Sequence, residues 1–274
     1  VLADRSLKNK SFWGRSYCQY CKNKLQWYDL LPVLSFLILQ GRCRYCRKKI
    51  SIEYLLIEVL MGILIAAVFW KNNPLVIPLT TSIFSLAFES FFVTILVALA
   101  LTDIKKTLIP DVIMFPSIVI AFLAQAVFAI FKVGFLYFYL AETAIGKYLL
   151  PPHSDYFYRH AFLASLPFLQ GVLMAVLIAG FFMALILITK GKGMGGGDVK
   201  LGAFMGIALG FPNSLVAILL AFITGALFAL TLIFLKRKHF GENLPFGPFL
   251  VLGSLVALFL GNQIIDWYLK LNYS

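Results

Sequence analysis

The chain has 274 residues, 61% of them hydrophobic and only 13% charged, with a mean hydropathy of +0.90. A soluble domain is nearer half apolar and a quarter charged, so this composition excludes an ordinary water-soluble fold and points to a polytopic membrane protein. The net charge of +12 would suit nucleic acid, but most Lys and Arg lie at the ends of apolar stretches, as topology signals do.

Residues 1–51 read as a basic, partly polar head. Val1 to Ser11 is unlike a signal peptide, and a start at Val rather than Met points to a missing upstream segment. All four cysteines lie in this head, as Cys18-x-x-Cys21 and Cys43-x-x-Cys46 with 21 residues between the pairs. Four thiolates in two knuckles suit tetrahedral zinc, and four protein ligands leave no open position, so the expected role is structural. Lys22, Lys24, Arg42, Arg44 and Arg47 favour the thiolate form. The other readings are a redox dithiol or four unrelated cysteines. The apolar patch Leu30–Leu39 contains Pro32 and is too short to span, so it reads as a core or interfacial piece.

Residues 52–274 read as a membrane helical bundle. Spans are expected at Ile52–Trp70, Ile83–Leu101, Val112–Phe131, Phe162–Ile188, Leu215–Leu235 and Phe246–Leu269, each near the 20 residues that a hydrocarbon core of about 30 Å requires. A shorter helix, Val199–Leu209, makes about seven. The aromatic stretch 132–161, with Pro151-Pro152, reads as a long loop with an interfacial helix. Alternating the spans with the head in the cytoplasm puts 19 of the 24 basic residues on the cytoplasmic side, which fixes the orientation. Asp103 and Asp198 then share the cytoplasmic face.

Those two acids carry the chemical reading. Gly193-Met194-Gly195-Gly196-Gly197-Asp198 is a glycine run that ends in an acid opening an apolar helix. A phosphate cradle is disfavoured by the acid; a flexible linker and a simple N-cap role for Asp198 remain open. Asp103 closes an apolar stretch at a helix C-terminus, where the macrodipole opposes it; its bland reading is a surface acid paired with Lys106. Two carboxylates at the mouths of membrane helices suggest an aspartyl protease acting at the bilayer surface. Asp111 follows Ile109-Pro110 and reads mainly as a helix start. Glu58, two turns into the first span, ranks behind it as a supporting residue at best, and Glu89 as a boundary residue. Pro245-Phe246-Gly247-Pro248 opens the last span and serves either as a helix start or as a holder of substrate backbone. His153, His160 and His239 form no ligand spacing.

These residues resemble the bacterial type IV prepilin peptidases, membrane aspartyl proteases of the GxGD class. The resemblance runs over most of the chain. It rests on the two Cys-x-x-Cys knuckles, Pro32-Val33-Leu34-Ser35, Gly41-Arg42-Cys43, Thr102-Asp103, Leu108-Ile109-Pro110-Asp111, Gly195-Gly196-Gly197-Asp198, Lys200-Leu201 and Pro245-Phe246-Gly247-Pro248-Phe249. It implies Asp103 and Asp198 as the catalytic pair, with Gly195, Gly197, Lys200, Pro245 and Gly247 in the active-site loops. It also implies cleavage of basic leaders from prepilins and pseudopilins at the cytoplasmic face of the inner membrane. Many members then N-methylate the new terminus with S-adenosylmethionine, and the cysteine-bearing head goes with that activity. The family usually has a membrane helix before the head, and this chain starts just after where it would end. Two rivals make different demands. A zinc-stabilised transporter or scaffold would place its acids nearer the midplane. A nucleic-acid binder using the basic head, with Trp13, Tyr17, Tyr20 and Tyr45, would leave both acids unexplained. No nucleic-acid partner is expected.

Overall fold

A computed structural model describes residues 15–18, 20–72, 79–191, 194–235 and 245–273. Val1–Ser11, Trp13, Lys192, Gly193, Lys236-Arg237-Lys238 and His239, on which parts of the sequence reading rest, lie outside the described residues. Among those described, the elements are helices, accompanied by two isolated β-bridges. The chain divides into two compact units, Val1–Ala98 and Leu99–Ser274.

The first unit opens with the head. A single 3₁₀ turn, Trp27–Leu30, is followed by α1 (Leu34–Ile38), so the Leu30–Leu39 patch is broken at Pro32 into two short pieces. Ser51 caps α2 (Ile52–Lys71) by accepting from the Glu53 N–H at 3.3 Å. Glu58 on α2 reaches back into the head and accepts the Val33 N–H at 2.8 Å. Val33 stands at φ +61, an uncommon conformation for a β-branched residue, and this acceptor holds its amide there. At the far end of α2, Lys71 pairs with Glu89 at 2.9 Å, and Asn72 donates to the same carboxylate at 2.8 Å. Glu89 lies on α3 (Leu79–Lys106), which begins in the first unit and ends in the second.

The second unit continues with α4 (Asp111–Glu142), α5 (Gly146–Leu149), α6 (Tyr156–Ile188), α7 (Gly196–Leu209), α8 (Asn213–Phe234) and α9 (Gly247–Tyr273). Six described helices are long and apolar enough to cross a membrane: α2, α3, α4, α6, α8 and α9. The seventh apolar helix, α7, has 14 residues and falls short of a span. One expectation needs correcting. Most of 132–161 is not loop: α4 runs on to Glu142 and α6 starts at Tyr156, leaving a short connection that holds α5. The extra turns are aromatic rather than aliphatic, and an aromatic-rich run beyond one hydrocarbon thickness reads as the end of a span.

Glycine sets how closely α7 packs. A Cβ on Gly206 would overlap the Ala175 backbone of α6, and one on Gly202 would lie 2.7 Å from Ile178 and Phe182. Gly202 and Gly206 form a small-xxx-small stripe, the feature that lets membrane helices approach at backbone distance. On the facing helix, a Cβ on Gly171 would stand 2.8 Å from the Ile207 carbonyl oxygen. Overpacking such a contact costs about 1–3 kcal/mol. Asp198 lies four residues before Gly202, so this stripe holds the acid-bearing turn of α7 against α6.

Candidate active site

Asp103 sits three residues before the end of α3, and the Thr107 N–H closes that end by donating to the Asp103 carbonyl oxygen at 2.7 Å. Its side chain is buried, with the residue only 6% exposed. The Gly247 N–H at the first turn of α9 donates to the Asp103 carboxylate. A Cβ on Gly247 would stand 2.5 Å from Asp103 Oδ2, so only glycine leaves room for the acid. Phe246, immediately before it, holds this turn in place. Its ring packs on Phe222 of α8 at 5.1 Å and on Phe182 of α6 at 6.3 Å.

Asp198 is the third residue of α7 rather than its N-cap, and is 8% exposed. Its carboxylate accepts the Gly195 N–H at 3.4 Å, which serves a helix-start amide that would otherwise lack a partner. Burial pushes the Asp198 carboxyl up, the charge of Asp103 pushes it further, and the Gly195 N–H pulls back, leaving it at about 6. The two acids therefore share one electrostatic environment although 95 positions separate them in the chain.

The other residues singled out in the sequence divide by role. A Cβ on Gly197 would meet the Ile109 side chain at 3.0–3.2 Å, so this glycine lets the Ile109–Asp111 loop close on α7. Gly195 and Gly196 face open space; nothing crowds Gly196 within 4 Å. Lys200, two residues past Asp198, donates to Asp111 Oδ1 at 2.5 Å and lies over the Phe115 ring at 4.7 Å. Asp111 is the first residue of α4, as the Ile109-Pro110 pattern indicates. Pro245 precedes α9 outside the helix. Glu58 belongs to the first unit, where its partner is the head. Ile109 and Phe246 are the packing residues that the sequence did not single out, though both sit inside quoted motifs.

In the first unit the four cysteine sulfurs lie within 4.8 Å of one another, with Cys18 and Cys46 Sγ 3.9 Å apart. That is far beyond a disulfide bond and close to the edge of about 3.8 Å that a tetrahedron of Zn–S bonds near 2.3 Å has. The two knuckles are built alike. Cys18 N–H donates to the Asn23 carbonyl and Lys22 N–H to Cys18; Cys43 N–H donates to Lys48 and Arg47 N–H to Cys43. Bridges Tyr17–Lys24 and Arg42–Lys49 close them, and Lys22 and Arg47 share a positive φ near 60°. Burial would raise the Cys18 thiol, but the Cys21 and Tyr20 N–H groups outweigh it and bring it down to about 7. The Asn23 N–H pulls Cys21 down, yet burial and the three neighbouring sulfurs drive it up to about 11. The four sulfurs together could hold a metal ion, and their spacing fits zinc.

Asp29 joins the region between the knuckles to the second one, a tie the sequence did not reveal. It accepts from Arg44 Nε at 2.7 Å, the Gln26 N–H at 3.1 Å and the Tyr45 hydroxyl at 3.2 Å. Burial pushes its carboxyl up, but these donors hold it below the usual carboxylate range.

Two family models match the chain. Residues 1–72 match the bacterial peptidase A24 N-terminal domain, and residues 90–230 match the type IV leader peptidase family. The prepilin leader peptidase/N-methyltransferase of Aeromonas salmonicida (strain A449) is 32% identical over 256 residues, covering 93% of this chain and 75% of the relative. The protein of that name from Bacillus subtilis (strain 168) is 30% identical over 262 residues, covering 94% and 86%. The one from Legionella pneumophila is 29% identical over 265 residues, covering 96% and 78%. No solved structure matches the chain.

Proposed function

The chain belongs to the type IV leader peptidase family, and from that membership we propose that Asp103 and Asp198 are the dyad with which it removes basic leaders from prepilins and pseudopilins. The observation that carries this reading is that two carboxylates, on α3 and α7, are both buried and the charge of Asp103 acts on Asp198. Like charges at close range cannot both ionise cheaply, so the pair holds one proton and titrates as a unit. Water attacks the scissile carbonyl carbon. The ionised carboxylate takes a proton from that water while the protonated one gives its proton to the carbonyl oxygen. When the tetrahedral species collapses, the C–N bond breaks and the leaving amine takes a proton from the dyad. The Gly247 and Gly195 amides each orient one carboxylate. The open space at Gly195 and Gly196 gives an extended substrate backbone room beside Asp198.

The dyad end faces the cytoplasm, as the Lys and Arg distribution favours. The substrate's basic leader stays on that side and its apolar segment enters the bilayer. Residues 1–51 form the cysteine-bearing domain and residues 52–274 the peptidase bundle. Cys18, Cys21, Cys43 and Cys46 hold a structural zinc that fixes the two knuckles. The relatives' name includes N-methyltransferase, and we extend that activity to this chain, with S-adenosylmethionine as methyl donor and no residue assigned to it. Incubating the liposome-reconstituted protein with a pilin-like precursor and S-adenosylmethionine, then weighing the product, tests both activities. A product short by its basic leader supports the peptidase, and an added methyl mass supports the second activity. Intact precursor with folded protein would overturn the reading.

A further inference from the structure

Helices α4 and α6, with 32 and 33 residues, are each about 48–50 Å long, well beyond a hydrocarbon core of about 30 Å. Both overrun at the same end. α4 starts at Asp111, beside Lys200 of the acid-bearing helix, so its C-terminus and the N-terminus of α6 lie at the opposite end of the second unit. Tyr137 of α4 packs on Phe157 of α6 at 5.8 Å and closes this tip.

The outward-facing side chains change along these helices. Val119, Ile120, Leu123 and Val127 on α4, and Leu169, Leu173, Val176 and Leu177 on α6, are exposed and aliphatic, as lipid-facing positions are. Toward the tip they become aromatic with polar ends. Five of the chain's 12 tyrosines fall within residues 137–158. Tyr139, Tyr148 and Tyr158 are 60%, 71% and 61% exposed, next to exposed Phe138 and Ile145.

Three media can surround such a tip, and two fit badly. Water leaves a contiguous apolar patch uncovered. Hydrocarbon strands Glu142, Lys147, Asp155, Arg159 and the open backbone of the connection without partners. The headgroup layer accepts both, which is why tyrosine concentrates there. The length agrees. At the common tilt of about 20°, a helix of about 48 Å has a height of about 45 Å, the thickness of a bilayer with both headgroup layers. Asp111 then lies in one layer and the last turns of α4, with Tyr137 and Tyr139, in the other.

We propose that the tip formed by residues 137–158 is a lipid-interface anchor, seated in the headgroup layer of the leaflet opposite the Asp103–Asp198 end. It sets the depth of the second unit and so the height at which the acids meet the other surface. The test is Tyr148→Trp in the full chain, reconstituted into liposomes containing brominated phosphatidylcholine. The emission of the parent, which has four tryptophans, is subtracted. Lipids brominated near the headgroup should quench the added emission more than lipids brominated near the chain ends, and aqueous iodide should quench it only weakly. Full quenching by iodide and none by bromolipid would overturn the proposal in favour of a water-facing partner surface. Quenching by neither would overturn it in favour of a protein-covered tip, including one covered by a second copy. Tyr158→Trp gives the same readout from α6 if the first variant does not fold.

Discussion

Lys200 of α7 donates to Asp111 of α4, and beneath that pair Gly197 rests against Ile109. The loop that carries Ile109 and leads into Asp111 begins four residues after Asp103, and the turn that carries Gly197 and Lys200 contains Asp198. The two contacts thus tie the segments bearing the two acids. An exposed ion pair contributes little to stability, about 0–1 kcal/mol, so its effect should be on geometry. We predict that Lys200→Asp and Asp111→Lys each lower kcat about tenfold or more while the fold is retained, since small misplacements of reacting groups can cost about a hundredfold. The double variant should recover much of the loss. Retained folding with no rescue by the swap would instead mean that Lys200 acts on the substrate directly.

Gly247→Ala should be damaging beyond its size. The added methyl would stand 2.5 Å from Asp103 Oδ2, forcing the carboxylate or the α9 turn to move. The expected result is a fall in kcat of about a hundredfold with KM little changed. Circular dichroism should show the helices intact. A variant with normal kcat would show that the Gly247 contact does not position Asp103.

The Asp198 carboxyl, raised to about 6, gives a pH dependence with a definite sign. A raised carboxyl stays protonated in the folded protein where the unfolded chain has already ionised it, at about 3.9. Folding is therefore progressively disfavoured as pH rises through the interval from about 4 to about 6. The Tm advantage of Asp198→Asn over the parent should grow across that interval. The parent's kcat/KM should fall on the alkaline side with an apparent pKa near 6, as the shared proton leaves the dyad. Equal Tm differences at pH 4 and pH 7 would remove the basis for a raised Asp198.

Zinc should be present at about one ion per chain and lost together with head structure. Cys43→Ser removes the buried member of the four. Elemental analysis should show zinc lost, and limited proteolysis should show new cuts among residues 15–50. Full zinc content in that variant would mean a different ligand set.

The spans were legible because an apolar run near 20 residues has few other readings, and the cysteine cluster because its spacing suits one geometry. Asp103 and Asp198 were legible as charges at membrane boundaries. What escaped depended on contacts between distant segments. Nothing local marks Ile109 as the side chain that fills the space beside Gly197, or Glu58 as the acceptor for Val33. The two knuckles were read from their cysteines, but the backbone hydrogen bonds they share, 25 positions apart from Cys18 to Cys43, were not, because few other side chains repeat between them. The overrun of α4 was missed because its last turns exchange aliphatic residues for tyrosine and phenylalanine, a composition shared by interfacial loops.

The central claim is the dyad, and cleavage of a pilin-like precursor in liposomes tests it most directly, with the parent, Asp103→Asn and Asp198→Asn run side by side. Asparagine keeps the shape and removes the proton exchange. The parent should release the leader, and each variant should release none while melting as a folded protein. Leader release at the parental rate by either folded variant would contradict the assignment of that acid and with it the shared-proton mechanism.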